Sequence, residues 1–268
     1  MKGIFVLSRI FLALILFGAV ALTGCDSNGN SNANLNANAT SNSNRNLDFK
    51  PPEQIKPTGN IDPNFKPCNL YFPLVPGSQA KYTIVFSSGL VADANVIVDA
   101  AEENGRKVFT QTTQIVDKSG GLEKTETTVR KYVCDGEKVQ LIYEFTNNRV
   151  LENVNTVETQ FRNEAILMPS LADLSKTGTS WSYNFGQVYR SPGQLPMSPE
   201  PMQIVFDVQG QSEMNTPAGK FKTLKIRRKI GEAEVDEFFA RGVGLISRVS
   251  SEGTRWDIKE YSGLNPLD

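Results

Sequence analysis

Apolar residues recur at every second position across roughly the last two hundred residues, and this period constrains the fold more than any other feature. Val139, Leu141, Tyr143 and Phe145 alternate with Lys138, Gln140, Ile142 and Glu144, and Met202, Ile204, Phe206 and Val208 alternate with mostly polar neighbours. Successive strand side chains point to opposite faces, so each run predicts a strand that turns one face to a core. Asn104-Gly105, Gly120-Gly121, Asp135-Gly136, Asn147-Asn148 and Gly231 punctuate these runs at hairpin spacing. A helical stripe is missing from every long stretch; residues 165–176 predict a short helix or a bent connection, limited by Pro169. The expected fold is mainly β, with antiparallel meanders forming one curved sheet or half-barrel, or two packed sheets. Gly77-Ser78-Gln79-Ala80-Lys81-Tyr82 and Gly178-Thr179-Ser180-Trp181-Ser182-Tyr183 match at an offset of 101, each opening a strand after a glycine turn. Two related halves, 68–163 and 164–268, would produce this match, as would the frequency of such turns before aromatic strands.

Composition narrows the function classes. Lys+Arg number 28 against 29 Asp+Glu, a net charge of -1 that gives no electrostatic reason to expect nucleic acid. The chain contains no histidine, which excludes Ser-His-Asp and Cys-His nucleophile systems, His-ligated zinc and haem, and imidazole pH switches.

The N-terminus reads as an export signal. Lys2 and Arg9 form a short basic region, followed by the uncharged stretch Ile10 to Leu22 and then small residues. That stretch is too short for a transmembrane helix, which needs about 20 apolar residues to cross about 30 Å of hydrocarbon. It closes on Leu22-Thr23-Gly24-Cys25, which resembles the lipobox of bacterial lipoproteins. The resemblance implies cleavage before Cys25, attachment of a diacylglyceryl group to its thiol and acylation of the new amino terminus. Two or three acyl chains hold a protein firmly, since each buried CH₂ contributes about 0.8 kcal/mol. Without lipidation the segment would be an uncleaved anchor or an ordinary signal beside a chance cysteine. Loss of 1–24 removes two positive charges, leaving 26 minus 29, or -3, so acyl chains rather than attraction to anionic lipid would anchor the protein. Asp26 is similar to the inner-membrane retention signal of enterobacterial lipoproteins, a rule that varies between lineages, so either membrane remains open.

Residues 25–67 read as a lipidated tether. Nine of the 21 residues from Asp26 to Asn46 are Asn, and Leu35 is the one large aliphatic, so the segment cannot bury enough apolar surface to offset chain entropy. Five prolines from Pro51 to Pro67 stiffen the second half of the tether, with Phe49, Ile55 and Phe65 as candidate latches onto the domain. A loose chain of this length reaches about 35 Å. Residues 68–268 remain for the globular region.

Three cysteines leave two once Cys25 carries lipid. In an oxidising compartment an even remainder reads as one bridge, Cys68 to Cys134, with two free thiols or a redox pair as alternatives; the spacing lacks the C-x-x-C pattern that lowers a thiol pKa. Lys225, Arg227, Arg228 and Lys229 face Glu232, Glu234, Asp236 and Glu237 across Gly231, a pattern expected of cross-strand pairs on a solvated sheet face. Asp99, Glu102 and Glu103 sit beside the Asn104-Gly105 turn, where acidic residues are common without catalysis. Gly242-Val243-Gly244 lacks the third glycine and the strand-to-helix setting of a phosphate loop.

Asn69-Leu70-Tyr71-Phe72-Pro73-Leu74, Thr216-Pro217-Ala218-Gly219-Lys220-Phe221 and Phe239-Ala240-Arg241-Gly242-Val243-Gly244-Leu245-Ile246 resemble landmarks of uncharacterised TapB-like envelope lipoproteins. That resemblance implies curved sheets akin to the lipoprotein carriers LolA and LolB. The chain departs from the pattern at Ala80-Lys81-Tyr82, where a Trp-x-Tyr is usual, and keeps the Trp only as Trp181. The expected function is therefore non-enzymatic binding at the cell envelope, with the membrane as partner through Cys25 and with no cofactor and no metal. A lipid or lipoprotein segment would lie in an apolar groove lined by Trp181, Tyr183, Phe185, Phe206 and Trp256. A structural or assembly lipoprotein contacting envelope proteins through strand edges or its exposed faces is the alternative, and a cell-wall hydrolase is third.

Overall fold

The computed structural model describes residues 61–117, 124–151 and 153–267. The signal segment 1–24, Cys25, the tether to residue 60 and Gly120-Gly121 lie outside them. Thirteen strands account for most of the described chain. The first seven are β1 (Gln79–Val85), β2 (Val91–Glu103), β3 (Arg106–Asp117), β4 (Lys124–Asp135), β5 (Lys138–Val150), β6 (Asn153–Phe161) and β7 (Ala165–Met168). A four-residue helix α1 (Leu171–Leu174) follows. The rest are β8 (Ser180–Arg190), β9 (Met202–Thr216), β10 (Gly219–Ile230), β11 (Ala233–Ala240), β12 (Gly244–Ser250) and β13 (Arg255–Ser262).

All pairings are antiparallel, and most join neighbours in sequence. Two exceptions, β1 with β13 and β6 with β8, turn the meander into a closed ring of twelve strands, with β7 appended to β5. The curvature expected from the sequence thus continues to full closure, and closure gives every strand of the ring a partner on both sides. The runs β1–β6 and β8–β13 open alike. Gly77 (φ 81°) donates to Val98 O while Val98 donates to Ser78 O, and Gly178 (φ 86°) donates to Val208 O while Val208 donates to Thr179 O. A positive φ at both turns explains the glycine in each of the two matching segments.

Alternation separates two faces. Inward, Tyr82, Ile84, Ala94, Ile246, Trp256 and Ile258 belong to a buried cluster on the β1–β2 and β12–β13 side. Outward, ion pairs lace the wall: Lys81–Glu260 (2.7 Å), Lys225–Asp236 (2.8 Å), Arg227–Asp236 (2.8 Å) and Lys259–Asp93 (2.5 Å). A charged outer wall does not fit the apolar band of a membrane-spanning barrel.

One end of the ring is closed by chain. The segment before β1 crosses it, held by Asn69, whose Nδ2 donates to Glu137 O and Pro169 O (2.8 and 2.9 Å), and by Gly242 N donating to Leu70 O. Cys68 and Cys134 are bonded and pin this segment to β4. Phe65 packs edge-on against Phe109, 6.2 Å between centroids, beneath Lys107. The β9–β10 hairpin leaves β11 after Leu224, bends at a bulge beside Gly210 (φ 112°) and carries Ala218 across to donate to Ile258 O. Phe221 at its tip joins the same buried cluster.

One local expectation is corrected and a second is met in part. Asn147-Asn148 is no turn: both residues sit inside β5, paired with β4 and with β6, and the chain reverses at Leu151 (φ 55°). Residues 165–176 divide at Pro169 into β7 and α1, with Ser170 as the helix N-cap accepting from Asp173 N.

Candidate functional site

The inner face of the ring carries charge at mid-height. Register places Glu126, Thr128, Arg130 and Tyr132 of β4 on the face shared by Glu144, Thr146 and Asn148 of β5, and Thr159 and Gln187 continue it on β6 and β8. Across the ring Arg228, Glu237 and Arg248 share the face of Phe206, Ile226 and Trp256. Arg130 keeps 32% of its side chain accessible and Arg248 19%, although both point into the ring, so unfilled space lies beside them inside it.

A bulge puts Glu144 there. Ile142 is an extra residue opposite the Lys131–Tyr132 step, so Val139 and Leu141 face inward while Tyr143 and Phe145 shift to the outer face. The strict alternation read across residues 138–145 breaks at this point, and Glu144 takes the inward position. There Arg130 Nε donates to Glu144 Oε2 (2.5 Å) and Thr159 Oγ1 donates to Oε1 (2.9 Å). Burial opposes ionisation of Glu144, but the charge and hydrogen bond of Arg130, with Thr159 and the field of Arg228, hold it below the usual carboxylate range. Burial likewise works against the Arg130 charge, and Glu144 outweighs it, so the guanidinium is held above its ordinary value.

The opposite pairing is looser. Glu237 Oε1 lies 3.2 Å from Arg228 Nη2 and 3.0 Å from Arg248 Nε. These are ion-pair distances at angles that make no hydrogen bond, and Arg228 Nε and Nη2 and Arg248 Nε are buried without an acceptor. Burial lowers Arg248 to about 10 against the pull of Glu237, with repulsion from Arg228 and Arg130 adding to the fall. It remains a cation at neutral pH, stacked 5.2 Å over the Trp256 ring. Burial also raises the Tyr82, Tyr132 and Tyr183 hydroxyls above their ordinary range, so they stay protonated.

Glu126 is the lumen's titrating group. Burial pushes it up to about 7 against the attraction of Arg130, and its Oε2 has no partner. The folded state therefore binds this proton more tightly than the unfolded chain, whose value is 4.5. Its cost to stability is absent below pH 4.5, grows through pH 4.5 to 7 and is complete above that window, reaching about 3 kcal/mol. Glu126→Gln is expected to flatten the loss of stability across this window, measured by denaturant unfolding at stepped pH. An unchanged pH slope in the variant would show that Glu126 titrates normally.

The sequence-derived apolar lining is placed differently from expectation. Trp181, Tyr183, Phe185 and Phe206 do share the inner face of β8 and β9, with Trp181 stacked on Phe206 at 5.1 Å. Tyr183, Phe185 and Phe206 are buried, however, and Trp256 is buried on the opposite wall against Tyr82. Those four rings are packing, and the accessible apolar strip runs instead through half-buried Val157, Phe161, Trp181, Tyr189 and Met202 of β6, β8 and β9.

The charged hairpin is also split by alternation. Lys225, Arg227, Glu234 and Asp236 pair on the outer face as expected, whereas Arg228 and Glu237 turn into the lumen. Arg130 and Arg248 have no counterpart among the residues the sequence singles out, and the alternation places Glu144 on the outer face. The signal that could find such residues is phase: Arg228 falls between Ile226 and Ile230, and Arg248 follows Ile246 by two residues. Of the carboxylates by the Asn104-Gly105 turn, Glu103 pairs with Lys131 at 2.6 Å on the outside. A cleft of about 310 Å³ near α1 is lined by Tyr71, Leu171, Leu174, Val208, Leu224 and Arg241 among others.

No protein-family model matches the chain, and no curated protein matches it. Among solved structures it is similar to a Bacteroides fragilis NCTC 9343 protein described as exported and as having a YmcC-like fold. The TM-score is 0.49 at 12% identity, covering 73% of this chain and 100% of that one. A Parabacteroides distasonis ATCC 8503 protein described as a lipoprotein gives a TM-score of 0.36 at 10% identity, covering 74% of this chain and 100% of that one.

Proposed function

We propose that this chain is a lipid-anchored bacterial envelope protein that holds an amphiphilic ligand, a lipid or a lipidated segment, inside its barrel without performing chemistry on it. The observation that carries this reading is the juxtaposition, on one accessible inner wall, of the apolar strip on β6, β8 and β9 with the guanidinium of Arg130. An amphiphile satisfies both at once, its chain along Trp181 and Phe161 and its polar end toward the arginines. The lipobox supports attachment to a membrane through Cys25, and the charged outer wall supports a barrel that stands in water.

Hydrolysis is disfavoured by the same geometry. A carboxylate acid/base pair would need a free ionised partner for Glu126, and both oxygens of Glu144 are engaged by Arg130 and Thr159. Ring closure supplies each of the twelve strands with two partners, which disfavours the strand-edge route of the assembly reading and leaves its exposed-face route as the second reading.

Native mass spectrometry of the full-length gene product isolated from its envelope tests the reading. The covalent mass is expected to correspond to residues 25–268 plus acyl chains, and a further non-covalent adduct with the mass of an amphiphile is expected to survive gentle activation. A chain without any such adduct, even after incubation with bacterial phospholipid and fatty acid, would contradict the binding role.

A further inference from the structure

Within that reading of the lumen, we propose that Arg228 and Arg248 form the seat of an oxyanion, a carboxylate or phosphate group carried by the ligand. The two guanidiniums converge on one carboxylate oxygen, Glu237 Oε1, from β10 and β12 on either side of β11. Glu237 Oε1 accepts a hydrogen bond from neither Arg228 Nη2 nor Arg248 Nε. Arg228 Nε and Nη2 and Arg248 Nε are left as buried donors with no acceptor, and such donors are costly unless something accepts from them. The mid-lumen holds three arginines, Arg130, Arg228 and Arg248, against the carboxylates Glu144 and Glu237 and the titrating Glu126, so one added negative charge balances it while Glu126 is protonated. Glu144 is not available for that purpose, because Arg130 and Thr159 already occupy it.

The surroundings fix the geometry of the seat. Trp256 lies beneath Arg248 at 5.2 Å and holds the guanidinium plane, while Arg228 is flanked across the strands by Phe206 and Val235. A planar fork held in this way presents paired N–H groups at the spacing of carboxylate or phosphate oxygens, which a lysine cannot do. Glu237 is buried to 7% exposure and acts as the internal competitor that an incoming oxyanion must displace or share.

Isothermal titration calorimetry on the mature protein held in amphipol tests the seat, using inorganic phosphate, acetate, octanoate, dihexanoyl phosphatidic acid and the neutral analogue octanol at constant ionic strength. Saturable binding of octanoate, at least about tenfold tighter than octanol, is expected from a charge-assisted bidentate contact. Arg248→Gln is expected to erase that difference, and Arg248→Lys to retain only part of it. Glu237→Gln is expected to tighten phosphate and acetate by about tenfold, because it removes the competing carboxylate; an ion pair with a purely structural role would give no such gain. Phosphatidic acid binding more tightly than inorganic phosphate assigns the oxyanion to a headgroup, and equal affinities assign it to a free anion in the same seat. Equal binding of octanol and octanoate, unaffected by either substitution, would overturn the seat while leaving a lumen for amphiphiles. Failure of every probe to bind would overturn both.

Discussion

Glu144→Gln is expected to lower the unfolding free energy by about 3 kcal/mol, which for a domain of this size corresponds to roughly 6–12 °C in Tm. The substitution keeps the shape of the side chain and its contact with Thr159 but leaves Arg130 charged inside the barrel without its counter-ion. Removing one member of a buried pair costs about 3–5 kcal/mol, and the lower end applies because Arg130 retains 32% of its surface in the lumen. The double variant Arg130→Met, Glu144→Met should recover most of the loss, since neither charge then has to be held in the wall. Thermal unfolding of the parent and these two variants checks the expectation. A single-variant loss below about 1 kcal/mol would mean that the pair is as weak as a surface salt bridge.

Removal of the Cys68–Cys134 bridge should have an effect of similar or larger size. The bond closes a separation of 66 residues, which in the chain-entropy picture stabilises the fold by about 4 kcal/mol. It also ties the segment crossing the closed end of the barrel to β4, next to the Asn69 side chain that spans Glu137 and Pro169. Cys68→Ala, Cys134→Ala is therefore expected to melt roughly 8–16 °C below the parent. Reductant should lower the parent toward the variant and leave the variant unchanged. Equal melting temperatures for parent and variant would show that the other contacts of the crossing segment suffice.

The period of two is enough to read antiparallel β structure, the Asn-Gly and Asp-Gly dipeptides mark the turns at Asn104-Gly105 and Asp135-Gly136, and the even cysteine remainder points to the Cys68–Cys134 bridge. The period is not enough to locate the polar lumen, for reasons visible at particular residues. Glu144 looked outward because its neighbours Tyr143 and Phe145 are large and apolar, and only the extra residue Ile142 reverses that phase. Bulges depend on the partner strand, here the Lys131–Tyr132 step of β4, and a single strand read alone carries little trace of them. Arg228 and Glu237 were hidden within a run of charges that mostly does form surface pairs. Asn147-Asn148 has good turn chemistry, yet β4 and β6 claim both of its backbone edges and tertiary pairing prevails. The aromatic residues were assigned to the correct face, but at ring closure Tyr183, Phe185 and Phe206 became wall packing and left Trp181 with its half-buried neighbours as the accessible surface.

Tryptophan fluorescence tests the central claim, a ligand-holding lumen, most directly, because the chain has two tryptophans and both face inward. Trp181 lies on the accessible strip, and Trp256 lies buried beneath Arg248. Mature protein held in amphipol is titrated with a fatty acid brominated along its chain, with the unbrominated acid and bromide ion as controls. The predicted result is saturable quenching, dominated by Trp181 and therefore greatly reduced in Trp181→Phe, together with displacement by the unbrominated acid. Quenching that rises linearly with concentration, matches that of bromide ion and resists displacement would contradict an amphiphile bound within the barrel.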